Sequence, residues 1–434
     1  MKKVAFCTLG CKVNQYETEA ILEMFKKNGY EVVGFEQVAD VYIINTCTVT
    51  NLSARKSRQM IRRAKKNNKD SIVVAMGCYS QVSPDEVFSI PEINLVIGSK
   101  DKGKIIEKIN MIEKGAGKLN LVQDIMRIRE FEELGVETYK EHTRAFIKIQ
   151  DGCNRFCSYC IIPYARGPIR SRSVEYILDE ANRLVFNGYK EIVLTGIHIA
   201  SYGKDINNTS LLDIIKKVHE IDGVKRIRLG SIEPTIVNDE FVNEISKLEK
   251  VCPHFHLSLQ SGCDSTLKRM NRKYTTQKYR ESVEILRKKL KDVSITTDVM
   301  VGFPGETDTE FNETVKFLEE ISFSAMHVFK YSKRKGTPAA EFSKQVSPKQ
   351  KDERSNILLE LTARKTYEFN KRYEGRVMDV LFEQDVKGKT GIIEGLTSNY
   401  IKVLCKGETA LNGQIVKVLL NKAFDDYVIG EIKK

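Results

Sequence analysis

Three cysteines crowd into the stretch DGCNRFCSYCIIPY, Asp151 to Tyr164, as Cys153, Cys157 and Cys160. Their CxxxCxxC spacing puts three thiolates in one short loop where a single iron–sulfur cluster can take them all. An electron-transfer cubane is ordinarily held by four thiolates, so three leave one iron open to a substrate or cofactor. Zinc competes for such loops. Structural zinc, however, favours CxxC pairs in tetrahedral sets of four, and no His or fourth Cys lies nearby in the sequence.

Three further cysteines, Cys11, Cys47 and Cys78, stand far apart in TLGC, NTC and MGC. Each falls at or just past the carboxyl end of a different expected strand. In an open α/β sheet those ends share one edge, where ligands bind. The three can therefore converge on a second cluster, again with an open iron. Small buried cysteines also suit strand ends for packing alone, and Cys7, inside the first strand, is read that way. Cys252, Cys263 and Cys405 fit no ligand pattern and are read as packing residues too.

The elements that must position these groups follow from hydrophobic periodicity. In residues 1–110, apolar runs Lys3 to Leu9, Val41 to Thr46 and Ser71 to Met76 alternate with helical spacing over Tyr16 to Lys27 and Ser53 to Asn67. That is the signature of an open parallel α/β sheet. Residues 111–142 are charged and weakly periodic, a linker. Residues 143–370 hold six strand candidates, from Ala145 to Gln150 through Ala325 to Tyr331, separated by helical stretches. This predicts a partial (β/α)6 TIM-like barrel with its site at the strands' carboxyl ends. Gly196, Ser231, Glu233, Gln260 and Asp298 collect at that edge and outline a pocket. Residues 371–434 alternate apolar and polar between Gly and Asn turns, predicting a five-stranded antiparallel β-barrel that binds nucleic acid or caps the chain.

The 70 basic against 58 acidic residues give a formal charge of +12, which makes a polyanion a plausible partner. The segment SARKSRQMIRRAKKNNK, Ser53 to Lys69, carries eight basic residues and no acidic one. Arg55, Arg58, Arg62 and Lys66 recur on one helical face and form a stripe that could follow phosphates. A solvated basic face would give the same pattern, and the position directly after Cys47 favours RNA. No run approaches the roughly 18 apolar residues of a membrane span, and MKKVAFCTLGC reads as a first strand rather than a signal peptide. A cytoplasmic protein is expected, and in that reducing compartment the ten cysteines serve as metal ligands or core residues, not disulfides.

With those residues in place, the chain resembles a radical S-adenosylmethionine methylthiotransferase. TLGCKVNQYET, INTCTV and MGCYSQ are similar to the family's N-terminal domain, CNRFCSYC to its radical core, and residues 371–434 to a TRAM domain. CKVNQYET is most similar to the branch acting on N6-threonylcarbamoyladenosine at position 37 of tRNA. Sister branches modify isopentenyladenosine in tRNA or a ribosomal protein. The resemblance implies two [4Fe-4S] clusters, S-adenosylmethionine on the cluster of Cys153, Cys157 and Cys160, and a sulfur-donating auxiliary cluster on Cys11, Cys47 and Cys78. It implies tRNA as substrate and a low-potential electron donor such as a flavodoxin or ferredoxin. Tyr159 matches an aromatic that packs near the cofactor's adenine. The family's Gly-Gly-Glu step reads Thr195-Gly196-Ile197 here, which leaves open the group that meets the methionine amine. Two readings outside this assignment are a noncatalytic iron–sulfur protein and a radical methylase with one cluster.

Overall fold

The computed structural model describes residues 1–139 and 143–433. The N-terminal sheet contains β1 (Lys3–Thr8), β2 (Glu31–Val33), β3 (Val41–Thr46), β4 (Ile72–Gly77), β5 (Leu95–Val96) and β6 (Leu119–Asn120), all parallel in the order β2-β1-β3-β4-β5-β6. Every residue of β3 and β4 is buried. Their nearly unbroken apolar runs reflect a sheet covered on both faces. Helices Lys12–Lys27 and Asn51–Asn67 supply part of that cover. The second begins two residues earlier than periodicity suggests, because Thr50 caps it by accepting from Ser53 N. The segment expected to be a linker adds β6 to the sheet's edge; its expected end at 142 lies outside the described residues.

The central unit contains β7 (Ala145–Asp151), β8 (Arg170–Ser171), β9 (Glu191–Gly196), β10 (Arg226–Leu229), β11 (His254–His256), β12 (Ser294–Val301) and β13 (Ala325–Lys330). Two sheets, β10-β9-β7-β8 and β11-β12-β13, meet through isolated parallel bridges Ile227–Val251 and Ile232–Leu257. All strands but the short β8 run parallel, which gives an open half-barrel wrapped by helices such as Val174–Phe186 and Asp308–Ile321. β11 is shorter than its apolar run: regular pairing stops at His256, and the chain runs on to Gln260, which has a left-handed φ of 73°.

Strands β14 (Val377–Asp385), β15 (Ile392–Thr397), β16 (Lys402–Lys406), β17 (Ile415–Ala423) and β18 (Val428–Ile432) close a barrel in the order β14-β15-β16-β18-β17. Four seams are antiparallel and the fifth, β16 with β18, is parallel. A closed ring with an odd number of strands cannot alternate direction throughout, so one parallel seam is unavoidable. Among the described residues no helix is long and apolar enough to cross a membrane.

The small barrel is fastened beneath the half-barrel by buried cations. Arg226 donates to Leu396 O at 3.0 Å and Asp379 O at 2.8 Å, and Arg228 donates to Ser398 O at 3.0 Å. Arg228 also donates from Nε to Glu191 at 2.6 Å, and both side chains are buried. Tyr400 stacks on His254 with ring centroids 4.3 Å apart. Arg228→Met would leave Glu191 with Arg226 at 3.6 Å as its remaining ion pair among the described residues, and with Arg144 as a further cation nearby. Denaturation should show a loss of about 3–5 kcal/mol; a loss of about 1 kcal/mol, as for an exposed pair, would mean that this contact does not hold the barrel in place.

Candidate active site

Cys11, Cys47 and Cys78 follow β1, β3 and β4, three adjacent parallel strands. Two glycines let their loops approach. Gly10 has φ +108° and a Cβ there would lie 3.0 Å from Cys47 Sγ; at Gly77, φ +95°, a Cβ would lie 2.4 Å from Asn45 Oδ1. Buried Asn14 joins two of the strand ends by donating to Leu9 O at 2.7 Å and Thr46 O at 3.1 Å. Cys47 and Cys78 are buried, while Cys11 stays exposed. Burial pushes the Cys78 thiol up, Arg166 opposes the rise, and Cys11 adds to it; Cys47 is raised by burial and by Cys78. The three sulfurs thus share one electrostatic neighbourhood.

The second set lies in the loop leaving β7. Gly152, φ +76°, is required because a Cβ would sit 1.9 Å from Pro168 O. Cys153 N donates to Gly167 O at 3.0 Å, Ser158 N to Met270 O at 3.0 Å, and Asn271 Nδ2 to Phe156 O at 2.9 Å. These bonds fix the loop through its backbone and leave its three thiols free of them. Burial raises the Cys153 thiol to about 11 and Cys160 to about 12, and neighbouring thiols add to both shifts.

Each set has a buried arginine on one sulfur. Arg166, on the short helix Ile162–Arg166 that follows the Cys153–Cys160 loop, donates from Nε to Cys78 Sγ at 3.2 Å. Its Nη2 donates to Asn14 Oδ1 at 2.6 Å, and its Nη1 meets Glu17 and Asp151. Lys148 donates to Glu17 at 2.8 Å and Asp151 at 2.6 Å. Burial alone would raise both carboxyls, yet the surrounding cations hold each far below the ordinary carboxylate range. Arg272 donates from Nη1 to Cys157 Sγ at 3.3 Å and pairs with Glu233 at 3.4 Å.

A cavity of about 240 Å³ lies between Cys160 and the loop that follows Cys47. Tyr159, Cys160, Gln260 and Asp298 line it from the half-barrel, and Val49 and Thr50 line it from the loop after Cys47. Asp298 is 3.3 Å from His256 Nε2. Glu233 does not line this cavity; it is buried among Arg155, His198 and Arg272. Burial pushes its carboxyl up, but His198, Arg272 and Arg155 outweigh that and hold it at about 2. Glu233 Oε2 is ion-paired with Arg155 Nη2 at 2.5 Å and lies 3.3 Å from His198 Nε2, so this chain's own side chains already engage it, while Arg155 Nε has no hydrogen-bond partner. Ser231 is exposed beside this cluster in the chain. Gly196 has a reason in packing, because a Cβ would lie 2.8 Å from Gln150 O on β7.

On the basic helix, Arg55, Arg62 and Lys66 are exposed, whereas Arg58 is committed to Tyr79 OH at 2.8 Å and Glu86 at 3.1 Å. Sequence reasoning passes over Arg166, Arg272, Asn14, Glu17 and His198. Only Asn14 and Glu17 carry a signal, since both fall inside CKVNQYET; nothing in local spacing marks either arginine.

The donor chemistry fits clusters. Each set offers three soft thiols and a cationic donor on one sulfur. Among the described residues no three His, Cys, Asp or Glu side chains gather round one point as a single-ion site requires. A four-iron cubane takes its thiolates at separate corners, over a wider circle. The paired group of Glu233, Arg155 and Arg272 presents both signs of charge, as the ammonium and carboxylate of an amino acid require.

Residues 147–318 match the Radical SAM superfamily, and residues 3–98 match the Uncharacterized protein family UPF0004. Fold and cysteine loop together define a radical S-adenosylmethionine enzyme, with S-adenosylmethionine and a [4Fe-4S] cluster as its cofactors. The "Threonylcarbamoyladenosine tRNA methylthiotransferase MtaB" of Bacillus subtilis (strain 168) is 45% identical over 434 residues, covering 99% of this chain and 96% of that protein. Its namesake from Aquifex aeolicus (strain VF5) is 40% identical over 96% of this chain and 100% of the relative. A "tRNA-2-methylthio-N(6)-dimethylallyladenosine synthase" from Clostridium botulinum (strain Loch Maree / Type A3) is 35% identical over 98% and 95%. The chain belongs to the radical S-adenosylmethionine methylthiotransferase family. Its fold also resembles a solved radical S-adenosylmethionine methyltransferase, TsrM from Kitasatospora setae, with TM-score 0.59, 15% identity and coverage of 78% and 77%.

Arg166→Met removes one of the two cations shared by Glu17 and Asp151, leaving Lys148, and removes the donor on Cys78. The expected result is a stability loss of about 3–5 kcal/mol together with less iron bound per chain in anaerobically reconstituted protein. Full iron content at wild-type stability would show that Arg166 supports neither.

Proposed function

We propose that this enzyme adds a methylthio group to carbon 2 of N6-threonylcarbamoyladenosine at position 37 of tRNA. The observation that carries this reading is the cavity bordered at once by Cys160 and by the loop after Cys47. The substrate branch is supported by the 45% and 40% identity to relatives named for threonylcarbamoyladenosine, against 35% for one named for dimethylallyladenosine.

In this reading Cys153, Cys157 and Cys160 hold one [4Fe-4S] cluster and Cys11, Cys47 and Cys78 hold a second. When bound, the first cluster with S-adenosylmethionine supplies a radical strong enough to take hydrogen from an unactivated adenine carbon, and the second supplies the sulfur. The chain's own residues bind and orient. Glu233, His198 and Arg155 would take the amino acid end of S-adenosylmethionine, and Tyr159 would pack near its adenine. Gln260 and Asp298 reach the same cavity and are candidates for its remaining polar groups, while Gly196 and Ser231 are weaker ones. Arg272 and Arg166 place positive charge on one sulfur of each set, which steadies an anionic cluster. Arg55, Arg62 and Lys66, with Arg58 in a lesser part, would meet phosphates. The domains serve these tasks as residues 1–110, a linker over 111–142, a radical domain over 143–370 and a TRAM-like barrel over 371–434. The enzyme would work in the cytoplasm with a low-potential electron donor of the flavodoxin or ferredoxin kind.

Mass spectrometry of tRNA nucleosides from a deletion strain tests this. The expected result is loss of 2-methylthio-N6-threonylcarbamoyladenosine with accumulation of its unthiolated precursor. An unchanged nucleoside profile, or loss of the isopentenyladenosine derivative instead, overturns the assignment.

A further inference from the structure

The cavity at Cys160 opens outward into a groove of about 620 Å³, and the two share Thr50, Phe329, Lys330, Tyr331 and Ser332. The groove exists because two units are pinned across it. Arg334 donates to Thr48 Oγ1 and Asn51 Oδ1, and Asn51 N donates to Ser332 Oγ at 3.2 Å. The start of the basic helix is thereby fixed beside the segment that follows β13.

Its lining combines two features that rarely coincide on a bland surface. Leu52 at 61% and Phe329 at 49% line the groove and are unusually exposed for large apolar side chains, and Val49 at 51% lines the adjoining cavity. Exposed Lys333 lines the groove and exposed Lys335 follows it in the chain, while exposed Arg55 and Lys56 stand in the opening turns of the basic helix whose first residues, Asn51 and Leu52, line the groove. Among the described residues, no carboxylate pairs with any of these four. Lys330 alone has one, Asp352 at 2.5 Å. An apolar floor framed by unpaired cations repels a cationic partner and suits a ligand with flat faces and a negative backbone, which is unpaired RNA.

We propose that this groove is a stacking platform for single-stranded RNA: Phe329 takes the face of an unpaired base next to the target nucleotide, and Lys333, Lys335 and Arg55 take its phosphates. This rests on tRNA being the substrate and adds how it is presented. The target adenine has to reach the cavity at Cys160, so its nucleotide must be turned out of its stack, which costs least from a loop. Phe329 would compensate the neighbour that loses its stacking partner.

Fluorescence anisotropy with the full chain tests it, using a short RNA hairpin with an adenosine-containing loop and, as control, the paired stem alone. Phe329→Ala should weaken hairpin binding roughly tenfold while leaving the weak binding of the stem unaltered, and Phe329→Trp should restore it. Lys333→Glu with Lys335→Glu should weaken hairpin binding and flatten its salt dependence. Wild-type hairpin affinity in Phe329→Ala overturns the platform but leaves the tRNA assignment standing, and so does equal weakening on hairpin and stem. A wild-type chain that binds neither the hairpin nor whole tRNA overturns the assignment itself.

Discussion

A guanidinium with no exposure to water holds the two halves of the site in register. Removing such a cation from solvent costs several kcal/mol unless every donor finds a partner, and the partners of Arg166 come from both units. Asn14, Glu17 and Cys78 belong to the N-terminal sheet and its first helix, and Asp151 to the end of β7. Neither unit alone satisfies it. Lys148, Lys102 and Arg170 join the same network, so four cations face Glu17, Asp151 and Glu132. The surplus positive charge lies against Cys78 Sγ, where a thiolate-bound cluster would carry the balancing negative charge. Docking of the sheet on the half-barrel and placement of Cys78 are therefore one event.

The same economy appears on the other side of the cavity. Arg272 serves Cys157 and Glu233 together, which links the cluster loop to the polar group suited to an amino acid. Arg334 ties the loop after Cys47 to the strand edge beyond β13. In each case a long side chain from one segment satisfies polar atoms on another. The cavity is thus a product of cross-unit contacts rather than a hollow within either unit.

What the sequence reveals follows how local each constraint is. CxxxCxxC is legible because one loop supplies all three thiols. Cys11, Cys47 and Cys78 are legible because adjacent parallel strands must end at one edge, so their convergence follows from topology. Arg166 and Arg272 are not legible, since a buried arginine is recognisable only through partners distant in sequence, such as Glu17 and Glu233. Arg58 fits the helical stripe yet is bound to Tyr79 and Glu86, a contact made by another segment. Gly196 looks like a ligand-facing glycine and is explained by its closeness to β7. The parallel seam of the small barrel depends on strand number, which alternating apolar residues do not encode.

The central claim is that the two proposed clusters face each other across one cavity, held there by Arg166. Pulsed electron paramagnetic resonance of the reduced, reconstituted full chain tests it most directly. Two [4Fe-4S] signals broadened by mutual spin coupling are expected, reduced to one uncoupled signal when Cys11, Cys47 and Cys78 are replaced by Ala. Two signals that relax independently, or a spectrum unaltered by the triple replacement, would contradict it.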